Sequence, residues 1–103
     1  MLEKSRIQAA IFEAIDRVNE VQLYENAVTK NTATILVGEQ AQLDSMGFVN
    51  FVVALEEVLA GAGLTLSVVE ELNAQGDAAP KTLTVASLVD FLYAIAQKKS
   101  AGE

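Results

Sequence analysis

The stretch from residue 45 to residue 60, Ser-Met-Gly-Phe-Val-Asn-Phe-Val-Val-Ala-Leu-Glu-Glu-Val-Leu-Ala, constrains the fold more than any other part of the chain. It is apolar nearly all round, and its only charges are Glu56 and Glu57. At about 100° per residue, Phe48, Phe51, Val52, Leu55, Val58 and Leu59 gather on one side, which is enough to face a core. Met46, Val49 and Val53 gather on the opposite side, with Asn50, Glu56 and Glu57 on or beside them. A helix with two apolar faces is either central and buried or keeps one face for a partner. The carboxylates argue against complete burial, because unpaired charges there would be costly. Both arrangements fit the pattern.

Three further helices are expected around it. Residues 5–20 carry one apolar stripe at helical period, Ile7, Ala10, Ile11, Ala14, Ile15 and Val18, and Ser5 and Gln8 have capping-box spacing. A short helix is expected over 68–74, with Ser67 and Glu70 as its capping box and Gly76 as its stop. The last helix is expected over 85–98, after Thr84, with Val85, Leu88, Val89, Leu92, Ile95 and Ala96 as its stripe. Lys98 and Lys99 suit its C-terminal dipole, and residues 100–103 read as a frayed tail. Gly61 and Gly63 end the 45–60 helix. Residues 21–44 show no sustained helical period. That is long for a structureless connection, so Leu23, Tyr24, Val28, Ile35, Leu36 and Val37 are candidates to anchor it on the core. Residues 34–37 have strand-like composition. With no partner strand in view, the segment reads as a loop with apolar anchors.

The chain has 103 residues, one domain's worth. Apolar residues are 51% and aromatics 6%, so the core must be mostly aliphatic, as suits a small helical bundle. It is expected to include Ile11, Ile15, Val18, Phe51, Leu55, Leu59, Leu88 and Leu92. The absence of cysteine and histidine removes disulfides, zinc–thiolate and imidazole metal sites, and the usual general base. No metal site and no catalytic residues are expected, and the chain does not read as an enzyme. No apolar run approaches the roughly 18 residues of a membrane span. The polar residues at 1–6 do not read as a signal peptide, so a cytoplasmic location is expected.

Charge placement narrows the partners. From residue 31 to residue 80 there is no Lys or Arg, while Glu39, Asp44, Glu56, Glu57, Glu70, Glu71 and Asp77 supply seven negative charges, equal to the net charge of −7. Nucleic acid is a poor partner for such a segment. A basic patch on another protein is a good one, although a charge excess of this kind also serves solubility alone.

Ser45 opens the 45–60 helix, and Asp44 is its natural N-cap. Capping is the commoner meaning of such a pair. If Asp44 caps, the Ser45 hydroxyl is left over at the positive end of the helix dipole, a place that suits an anionic modification. Ser45 is no hydrolase nucleophile, because no histidine exists to activate it and no Gly-x-Ser-x-Gly elbow surrounds it.

The run Leu43-Asp-Ser-Met-Gly-Phe-Val-Asn-Phe-Val-Val-Ala-Leu-Glu-Glu57 resembles the attachment segment of acyl carrier proteins. In that family an Asp-Ser dipeptide followed by an apolar residue receives 4′-phosphopantetheine on the serine, and an Ala-Leu-Glu-Glu stretch closes the same helix. Residues 83–92 look like the start of the family's last helix. The resemblance covers roughly residues 5–98, and only the Ser45 segment is specific. It implies an all-α, acyl-carrier-like four-helix bundle of three longer helices and one short, with a long first loop and a single carrier domain over 1–103. It also implies covalent attachment of 4′-phosphopantetheine to Ser45, with Asp44 as part of the motif. The chain would then carry an acyl or aminoacyl group as a thioester. Met46, Val49, Val53, Glu56 and Glu57 would dock a phosphopantetheinyl transferase and a loading ligase or synthase with a basic patch, the carrier itself being a monomer. Gly47 and Asn50 depart from the acids that bacterial fatty-acid carriers usually place there. Leu-Asp-Ser-Met-Gly also looks like the segment in D-alanyl carrier proteins. The alternative is a helical protein-interaction module without a prosthetic group.

Overall fold

The six-residue stripe of the first helix decides the architecture. The computed structural model describes residues 3–21, 28–38, 41, 43, 45–74 and 82–101. Within them, α1 (Lys4–Val21) buries Ile7, Ala10, Ile11, Ala14, Ile15 and Val18. Ala10 and Ala14 are small enough to let neighbours come close, and α1 packs against both α2 (Ser45–Gly61) and α4 (Val85–Ala101). The stripe is therefore covered from two sides, and α1 is the shared wall of the bundle. The short α3 (Val68–Asn73) rests against α2. The molecule is mostly helical, with four helices among the described residues and one small sheet.

The expected helices fall close to the observed ones, with small differences at their ends. α1 begins at Lys4, where the Glu3 carbonyl accepts from the Arg6 and Ile7 amides at 3.1 and 3.0 Å. Ser5 thus lies inside the first turn and does not cap. α4 continues to Ala101, past the point where the frayed tail was expected. α2 stops at Gly61, but Gly63 is the residue that ends it. Gly63 has φ 99°, its amide donates to the Ala60 carbonyl, and the Leu64 amide reaches back to Leu59 at 2.9 Å. This is a Schellman closure, and its two apolar partners, Leu59 and Leu64, are both buried. For α3, Ser67 accepts from the Glu70 amide at 3.3 Å, the cap read from the sequence; Gly76, its expected stop, lies outside the described residues.

The expectation that residues 34–37 form a loop with no partner strand needs correction. β1 (Ile35–Val37) pairs antiparallel with β2 (Leu83–Thr84). The partner strand is two residues long and runs straight into α4, so no alternation of side chains announces it. Two steps along β1 meet one along β2, which makes Leu36 the extra residue of a bulge. Leu36 is also the fully buried residue of β1.

The connection ahead of β1 is tied at both ends. Asn19 Nδ2 donates to the Val28 carbonyl at 3.0 Å, and the Val28 amide donates to Asn19 Oδ1 at 2.7 Å. Val28 is thereby seated in the core. Thr34 is the buried polar side chain among the described residues, and its hydroxyl donates to the Thr29 carbonyl at 2.6 Å. The carbonyls of Thr34 and Thr32 then accept from the amides of Val85 and Ala86, and Thr84 Oγ1 accepts from Ser87. Two orphan donors of the first turn of α4 are thus satisfied by this loop, and a third by Thr84 just before the helix. Of the expected anchors, Val28 and Leu36 are buried and Ile35 and Val37 half-buried, while Leu23 and Tyr24 lie outside the described residues.

All eight core residues expected from the sequence are buried. Leu55→Ala, at a fully buried position between the helices, is expected to lower unfolding free energy by about 2–5 kcal/mol in chemical denaturation. The two glycines at the end of α2 should respond oppositely. At Gly61 an added Cβ meets open space, and Gly61→Ala should raise stability by about 0.5 kcal/mol. At Gly63 the positive φ makes Gly63→Ala cost about 1 kcal/mol.

Candidate functional site

The outer face of α2 follows from what its inner face must do. Phe51, Val52, Ala54, Leu55 and Leu59 are consumed by the core, and Phe48 and Val58 pack at its edge. Helical geometry then leaves Met46, Val49 and Val53 in solvent. They are 70%, 54% and 53% exposed, the three largest values among exposed large hydrophobic residues described. They form a ridge about 10 Å long from Met46 to Val53. This settles the choice left open by periodicity: the central helix is α1, and α2 keeps one apolar face in solvent.

Ser45 is the first residue of α2, one position before the ridge begins. Asp44, its expected cap, lies outside the described residues. Gly47 is buried and Asn50 exposed, so the first turns of the outer face carry no charge at these two positions.

The two carboxylates expected to flank the ridge differ in their attachments. Glu56 is partly buried, and its Oε2 accepts from the Val68 amide at 3.2 Å. Val68 is the first residue of α3, so Glu56 holds the start of that helix against α2. Sequence spacing pairs Glu56 with nothing local, because its partner lies 12 residues ahead across a turn. Glu57 is exposed and 3.2 Å from Arg17 Nη1 of α1. Arg17 Nη2 also contacts Glu13, one helical turn back, at 3.3 Å. Such exposed pairs contribute about 0–1 kcal/mol each.

The Arg17–Glu57 pair borders an open groove of about 350 Å³ between α1 and α2, lined also by Val18, Asn50, Val53 and Ala54. Two participants here were not anticipated from sequence. Arg17 lies off the apolar stripe of α1, and nothing in the sequence around it signals a partner 40 positions away. Val69, on α3, is an additional exposed apolar residue at 44%. Among the described residues no cluster of side chains suits a metal ion, and no helix is long and apolar enough to cross a membrane. Comparison with protein-family models, curated proteins and solved structures finds no match to the chain. The chemistry of the face therefore has to be read from its own residues.

The difference between the carboxylates is measurable. Glu56→Ala is expected to cost about 1 kcal/mol of stability, the scale of a lost helix-end contact, and to raise amide exchange in α3. Glu57→Ala should stay within about 0.5 kcal/mol. Denaturant melts with hydrogen exchange read both, and equal effects at the two positions would contradict the separate roles.

Proposed function

We propose that this chain is an acyl carrier protein, an acyl-carrier-like helical bundle that bears 4′-phosphopantetheine on Ser45 and presents an acyl or aminoacyl group to partner enzymes. The observation that carries the reading is the Leu43-Asp-Ser-Met-Gly segment, with Ser45 opening a 17-residue helix whose outer face is an exposed apolar ridge. The residues present fit the group. Ser45 is the first residue of α2, at the positive end of the helix dipole, which favours a phosphodiester. When bound, 4′-phosphopantetheine supplies the terminal thiol that holds the acyl group as a thioester, so a cysteine-free chain can serve thioester chemistry.

The chain's own residues have three tasks on this reading. Ser45 provides the attachment oxygen. Met46, Val49 and Val53 offer apolar contact to the phosphopantetheinyl transferase and to a loading ligase or synthase. The acids of 31–80 attract the basic faces of those enzymes before contact. The carrier catalyses nothing itself and works as a monomer in the cytoplasm, exposing its loaded group to several enzymes in turn. Glu56 gives less to docking than its place on the helix suggested, because its carboxylate is engaged with α3. Reversing both Glu56 and Glu57 would disturb the fold as well as the surface charge, so Glu57 is the cleaner probe.

Intact mass after incubation with coenzyme A and a broad-specificity transferase tests the proposal. The wild-type chain is expected to gain one phosphopantetheine, and Ser45→Ala none. Ser45→Ala should retain its helical circular dichroism and change stability by no more than about 1 kcal/mol, since alanine is a good helix former in the first turn. An unmodified wild type would instead support an interaction module that uses the same ridge without an arm. A modified Ser45→Ala would move the attachment elsewhere.

A further inference from the structure

The outer face of α2 belongs to the segment 31–80, which contains no Lys or Arg. A cation nevertheless reaches the rim of that face from another helix. Arg17 of α1 places Nη1 3.2 Å from Glu57 Oε2 and Nη2 3.3 Å from Glu13 Oε2. It borders a groove that the ridge residue Val53 and the neutral Asn50 also line. We propose that Arg17 is a specificity-determining residue of the docking face: it occupies Glu57 from within, and a basic enzyme docks by exchanging its own cation for Arg17. The inference rests on the carrier reading above.

The geometry makes the exchange feasible. The side chains of Arg17 and Glu57 are 44% and 67% exposed, so water screens their attraction and the internal pair can open. Arg17 does not lose every partner when it leaves, because Glu13 lies one turn back on its own helix. At Glu57 one guanidinium or ammonium is traded for another, so the carboxylate adds little net attraction. Affinity then depends on what Arg17 cannot imitate, namely apolar contact with Met46, Val49 and Val53. A surface that is merely basic gains little at Glu57. A basic rim around an apolar socket makes the same exchange and gains the ridge contact as well.

The test uses the full chain, coenzyme A and a broad-specificity phosphopantetheinyl transferase, with initial rates read by intact mass over a series of ionic strengths. Arg17→Gln is expected to be modified about threefold faster than wild type at low salt, the effect of freeing one nearby carboxylate, and to fall more steeply as salt rises. Arg17→Lys should restore the wild-type slope. Adding Glu57→Gln to Arg17→Gln should remove the gain, whereas Glu57→Gln alone changes the rate less, a coupling that a double-mutant cycle isolates. Val53→Asp should slow modification at every ionic strength. Thermal melts matching wild type keep loss of fold out of the comparison. An Arg17→Gln rate and slope equal to wild type overturn the inference, as does an acceleration that survives Glu57→Gln. Wild type gaining no phosphopantetheine overturns the carrier reading and this inference with it.

Discussion

The burial of α1 on two sides is the constraint on which the rest of the structure depends. Ile7, Ala10, Ile11, Ala14, Ile15 and Val18 are almost wholly removed from water, and one neighbour could not cover a stripe of that width. α2 and α4 have to flank it. Once α2 commits its Phe51, Leu55 and Leu59 side to α1, its 3.6-residue period leaves Met46, Val49 and Val53 in solvent. The exposed ridge is thus a by-product of how the core is filled.

Holding α4 in place falls to the connection between α1 and α2. Asn19 imitates a strand neighbour for Val28, and the carbonyls of Thr32 and Thr34 complete the first turn of α4. The short β1–β2 ladder continues the same seam. A connection usually treated as a spacer is here a clamp between the ends of two helices. It supplies hydrogen bonds that α4 would otherwise have to find in water.

The acidic surface is likewise less uniform than its composition suggests. Glu56 is used internally at the start of α3, and Glu57 is shared with Arg17. Lys30 pairs with Asp16 at 3.2 Å and Lys4 with Asp90 at 3.1 Å, so basic residues flanking the acidic segment are engaged too. Lys4 also lies 5.1 Å from the Tyr93 ring centre, which ties the start of α1 to α4. What a partner meets on α2 is an apolar ridge with its charges partly answered from inside the molecule.

Much of this was legible in the amino-acid order. Helical periodicity placed the three longer helices, the eight core residues and the two faces of α2, and a capping box placed the short helix, because those depend on contacts repeated every turn and are written locally. The Ser67 cap was legible for the same reason. The Asp-Ser segment that carries the functional reading is also local. What only the tertiary structure decided involves residues far apart in the chain. Which helix is central depends on packing all the elements together. The β1–β2 pair joins segments more than 40 residues apart, and its second strand is too short to show a period. Glu56 meets Val68, and Arg17 meets Glu57 across 40 positions, through side chains that look like ordinary solvent charges when read in line. Local order determined the elements and their faces; only the folded geometry could decide which polar groups those faces bring together.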